Sequence, residues 1–154
     1  MKRRNRFRML FDETGAGLVE LAFVLPLFPL LLFGAIDFGR AFYLSVEVAG
    51  AAQAAAVYGA QNPTDTAGML TAAQEDAPNV PNLSVATPVY GTECPDGTQY
   101  TAGTSTMPTC SGYPKGVYRV NVKVTATYSP WFPWPGIPSS ISLGNTASMR
   151  SGGS

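Results

Sequence analysis

The chain has 154 residues, and its ten Lys+Arg are balanced by ten Asp+Glu, so no net field selects nucleic acid or an acidic ligand. It has no His, which excludes Ser-His-Asp and Cys-His catalysis and every His-containing metal site, and two Cys cannot build a four-Cys zinc site. Only 13% of residues are charged against 45% hydrophobic, which is low charge for a freely soluble protein.

The N-terminus, MKRRNRFRMLFDETG, carries five of the ten basic residues: Lys2, Arg3, Arg4, Arg6 and Arg8. Leu18 to Ile36 follows as LVELAFVLPLFPLLLFGAI, apolar at fifteen of nineteen positions. As a helix it spans roughly 28 Å, close to the hydrocarbon thickness of a bilayer. A secretory signal is one reading, but the run is long and AIDFGRAF offers no small-x-small cleavage site. A buried core helix is another, but a chain this short can hardly surround such a segment. The expectation is a retained single-pass anchor over residues 16–40. The basic leader, residues 1–15, would stay in the cytoplasm, and residues 41–154 would form an extracytoplasmic domain.

Glu20 is unusual in such a span, because an acid at a bilayer centre costs about 2.5 to 3.5 kcal/mol on insertion scales. One role is a first-turn Glu in a helix starting near Gly17, favoured by the helix dipole. The other is as partner to a cation. Cleavage after Gly15 would supply one in the new ammonium of Ala16, four helical residues or ~6 Å from Glu20. Pro26 and Pro29 loosen or merely kink the helix. Asp37 and Arg40 share a helical face, where they can pair and set membrane depth, with Arg40 snorkelling to the headgroups.

The segment ETGAGLVELAFVLPLFPLLLFGAIDFGRAFY resembles the N-terminal signature of TadE-like proteins, pseudopilins of the tight-adherence (Flp, type IV-like) pilus system. The matching elements are the basic leader, Gly15, Glu20 five residues on, Leu25-Pro26 and Asp37-Phe38-Gly39-Arg40. ISLGNTASMR at 141–150 is similar to the family's closing strand. The resemblance implies cleavage by a prepilin peptidase between Gly15 and Ala16, N-methylation of Ala16, and partnership with other pilins and inner-membrane assembly proteins. Two departures are Leu21, where an aromatic often follows the Glu, and Gly17, which offers a second cut site with poorer spacing to Glu20.

Beyond the span, the Ala-rich stretch 41–60 predicts that the helix continues outward until Asn62-Pro63 stops it. Its small residues Gly50, Ala51, Ala54, Ala55 and Gly59 can pack on other pilins or on the chain's own sheet. A second helix is expected from Thr66 to Asp76, capped by Thr64 or Asp65 and stopped by Pro78. Val117 to Tyr128 alternates strictly, with Tyr118, Val120, Val122, Val124, Ala126 and Tyr128 on one face. Ile141 to Arg150 alternates too, interrupted by Asn145. Leu83 to Tyr90 is a weaker edge candidate, because Pro88 cannot donate to a ladder. The predicted fold is α+β: a long N-terminal helix, transmembrane in its first half, on a small antiparallel three-stranded sheet. This also resembles the pilin architecture.

Cys94 and Cys110 flank a polar loop, and the oxidising compartment favours a structural disulfide over a redox or metal-binding pair. The segment SPWFPWPGI, from Ser129, can lie at the membrane surface, dock on a pilus component, or fill the gap between helix and sheet. The tail SGGS is expected to be disordered. No metal or cofactor is expected, and no nucleophile and base can be assembled from these residues. The leading function is a membrane-anchored, peptidase-processed pseudopilin supporting pilus assembly. The alternative is an unprocessed single-pass tether presenting an extracytoplasmic binding module.

Overall fold

The computed structural model describes residues 13–151. The basic residues Lys2 to Arg8 and the last three residues lie outside the described residues. Two compact units divide the chain, the first ending at Gly39 and the second beginning at Arg40.

Helix α1 runs over Glu13–Gln61 and is helical through Pro26 and Pro29. It ends where Asn62-Pro63 follows, since the residue before a proline is pushed out of the helical region. Helix α2 covers Thr66–Asp76. Of the two candidate caps Asp65 does the work: its Oδ1 accepts the Gly68 N–H at 2.9 Å. The other oxygen accepts the Tyr58 hydroxyl at 2.7 Å, which ties the cap of α2 to the last turn of α1.

Five strands form one antiparallel sheet: β1 (Ser84–Val85), β2 (Val89–Glu93), β3 (Thr101–Ala102), β4 (Val117–Tyr128) and β5 (Ile141–Arg150). β4 is central. β5 pairs with it in unbroken register from Tyr128↔Ile141 to Arg119↔Arg150. Both β1 and β2 lie on its other edge, at Ser84↔Thr125 and Val89↔Asn121 respectively, and β3 pairs with β2.

The expectation of three strands is thus corrected to five. The predicted strand 83–90 is broken around Pro88. Residues 86–88 stand opposite only Val122 and Lys123, so one extra residue is bulged out and the ladder resumes one step out of register. Proline removes a ladder donor, and a bulge absorbs that loss. β3 is only two residues long and carries no period-two signal.

The core of the second unit lies between the helices and one face of β4. Leu44, Val48, Ala51, Ala52, Ala55 and Ala56 of α1 cluster with Val120, Val122, Val124 and Ala126 of β4 and with Met69 and Ala73 of α2. The small residues permit close approach: a Cβ on Gly59 would stand 2.8 Å from Met69 Cε and 3.0 Å from Val120 Cγ2. Of the small-residue face singled out in the sequence, Ala51, Ala55 and Gly59 are buried within the chain's own fold. Val117, on the opposite face of β4 from Val120, is also buried.

Candidate membrane anchor and processing site

The first unit contains the N-terminal part of α1, and the described residues leave most of it exposed. Every residue from 17 to 33 is exposed, including Leu18 (69%), Phe23 (72%), Phe28 (67%) and Leu31 (69%). A helix that is apolar all round has no face for water, and this one is long and apolar enough to cross a membrane. It is compatible with a single-pass anchor.

Gly15, Ala16 and Glu20 all lie in α1, and Gly15 and Glu20 are exposed. A Cβ built on Gly15 or Gly17 would meet no described atom within 4 Å, so intramolecular packing does not demand glycine at either position. Glu20 stands seven residues into the helix. It is therefore not the first-turn residue expected of a helix starting near Gly17, and dipole stabilisation, which fades beyond the first turn, does not account for it.

Asp37 is buried, at 5% exposure. Arg40 is partly buried, and its guanidinium carbon lies 3.9 Å from the centroid of Trp131 and 5.7 Å from that of Tyr128. These are cation–π distances. Trp131 is 66% exposed and Phe132 40% exposed, so the aromatic segment does not fill a gap between helix and sheet. It forms instead the connection between β4 and β5, with Phe132 and Trp134 edge to face at 6.2 Å.

Cys94 and Cys110 are joined in a disulfide with Cα atoms 5.6 Å apart. Next to it is a cluster that sequence reasoning missed. Glu93 ends β2 fully buried, with Arg119 of β4 and Arg150 of β5 directed at it. Arg119 Nη2 donates to Oε1 at 3.0 Å, and its Nε approaches Oε2 at 2.7 Å as an ion contact rather than a directed hydrogen bond. Arg150 pairs through its Nε with Oε1 and donates from Nη1 to the Pro95 carbonyl at 3.3 Å. Tyr100 lies above this group, its ring 5.7 Å from the Arg119 guanidinium. The signal available in the sequence was slight: an acid directly before a cysteine, and two arginines on outward positions of alternating strands. Nearby, the Thr98 backbone and side chain both donate to Asp96, which holds that carboxyl below its usual range.

Neither a curated protein nor a solved structure matches the chain. The likeness noted at 141–150 lies outside what the family comparison matches. Residues 15–57, from Gly15 through Glu20 and Arg40 into the Ala-rich part of α1, match the family model of TadE-like proteins, a family associated with the Tad pilus.

Proposed function

We propose that this protein is a pseudopilin-like component that supports assembly of a tight-adherence pilus. It sits in the inner membrane with the leader in the cytoplasm and residues 41–154 outside. A prepilin peptidase hydrolyses the Gly15–Ala16 amide, leaving a carboxylate on Gly15 and an ammonium on Ala16. Only the first turn of α1 has to open for the cut, and helix ends open at little cost. The protein then packs with other pilins through its N-terminal helix and performs no chemistry of its own.

The observation that carries this reading is Glu20: an exposed acid within an apolar run whose residues 17–33 are all exposed among the described residues, five residues after an uncrowded glycine, within the family-matched region. In lipid an isolated carboxylate is costly, and an opposite charge nearby offsets that cost. A neighbouring subunit shifted by about one helical turn, ~5.4 Å, presents its Ala16 ammonium to this carboxylate. The pair then selects one register among many that the apolar surface alone would allow.

Intact-mass analysis of the membrane-extracted protein, expressed with its prepilin peptidase, tests this. A species beginning at Ala16 is expected, while full-length chain alone would favour the unprocessed tether. Glu20→Ala is expected to insert normally yet fail to co-purify with pilus components.

A further inference from the structure

We infer that the loop joining β4 to β5, residues 129–140, is a second membrane contact that enters the interfacial layer of the bilayer. The inference rests on the anchor reading above and adds a surface to it.

Four observations carry it. The first is reach along the chain. Arg40 follows the last residue of the apolar run, Ile36, by four residues, which is ~6 Å of helix. Arg40 is therefore at headgroup depth if the run fills the hydrocarbon, and its guanidinium lies 3.9 Å from the Trp131 ring. The contact carries Trp131 to the same depth.

The second is composition. The loop reads SPWFPWPGIPSS and has no charged residue. Trp131, Phe132 and Ile137 are exposed at 66%, 40% and 49%. Tryptophan favours the water–lipid boundary, because its ring is apolar and its N–H still finds a polar partner there.

The third is the backbone. Burial of unpaired N–H groups is what usually keeps loops out of lipid. Here Pro130, Pro133, Pro135 and Pro138 have no N–H to bury. Two further N–H groups are satisfied within the loop: Trp134 donates to the Phe132 carbonyl at 2.9 Å, and Ile137 to that of Trp134 at 3.1 Å.

The fourth is preorganisation. The Arg40 stack and the edge-to-face Phe132–Trp134 pair hold the rings in place before any membrane is met. A cation held against aromatic rings keeps Trp131 at a fixed place on the loop, and exposed Trp and Phe rings suit the interfacial layer. A protein partner would be expected to bring a complementary acid or a shaped pocket, whereas lipid needs only this depth and this composition.

The chain provides its own probe, because Trp131 and Trp134 are its only two tryptophans. The full-length protein is reconstituted into phosphatidylcholine–phosphatidylglycerol vesicles. Flotation after a carbonate wash establishes the anchor, and tryptophan emission is then read with lipids brominated near the headgroup end or near the methyl end of the acyl chain. Expected are blue-shifted emission and quenching that is stronger with bromine near the headgroups. A Trp134→Phe variant is expected to keep that pattern through Trp131 alone. Vesicles that float the protein with unquenched, water-like emission would overturn this inference and leave the anchor standing; such a loop would face water or another protein. A chain that fails to float would overturn the anchor and this inference together.

Discussion

The buried carboxylate of Glu93 on β2 lies 2.7 Å from Nε of Arg119 on β4, and only the arginine reaches solvent. With Arg150 on its other side, this one acid bridges two cations that stand directly opposite each other at Arg119↔Arg150, offsetting their repulsion and leaving the trio with a net single positive charge. Glu93→Gln is expected to cost on the order of 2–3 kcal/mol, less than a fully buried pair because both cations reach water. Chemical denaturation of the detergent-solubilised protein measures it. Stability equal to the parent's would show that the two arginines find enough water without the acid.

The disulfide closes a loop with a sequence separation of 16. The paired variant Cys94→Ser/Cys110→Ser is expected to lose about 3 kcal/mol by chain entropy. Because Cys94 adjoins Glu93, the loss should not add simply to that of Glu93→Gln. Thermal melting of single, paired and combined variants checks both statements.

Gly91 on β2 faces the backbone of β3 closely. A Cβ there would stand 2.9 Å from Ala102 Cα and 2.8 Å from a Tyr100 ring carbon, and would press on the Thr101 carbonyl oxygen. Gly91→Ala is expected to cost roughly 1–3 kcal/mol by overpacking and to detach β3. Hydrogen exchange reads this locally, because the Gly103 N–H donates to the Tyr90 carbonyl at 2.7 Å and should lose its protection.

Asp65 links the two helices and gives the domain a pH dependence. Gly68 N–H first, and then the Tyr58 hydroxyl, hold its carboxyl below the ordinary value of 3.8. Its contribution to stability is therefore complete above that value and is lost as pH falls through the lower folded one. Bonding to Asp65 raises the Tyr58 hydroxyl above its ordinary 10.0, so that contribution is present below 10 and is lost as pH rises through the folded value. Melting temperature against pH should fall at both extremes in the parent, and Asp65→Ala should flatten both limbs.

Legibility followed the range over which each interaction acts. The apolar run, the stop at Asn62-Pro63, helix Thr66–Asp76 and the strands Val117–Tyr128 and Ile141–Arg150 were readable, because helix and strand periods and proline chemistry act over a few residues. The even face of β4 is apolar in the sequence, and Val120, Val122, Val124 and Ala126 on it are buried. Pro88 signalled an edge, but its effect was a bulge between two short strands, since a second strand had to decide the register.

What the amino-acid order alone determined is the local grammar: an apolar run with one acid in it, two helices, and the two long strands. Only the tertiary structure decided that Glu93 is buried between Arg119 and Arg150, that β3 covers Gly91, and that Arg40 stacks on Trp131. Those contacts join residues far apart in the chain. Their free energy depends on which groups are brought together and dried, and no local pattern encodes that.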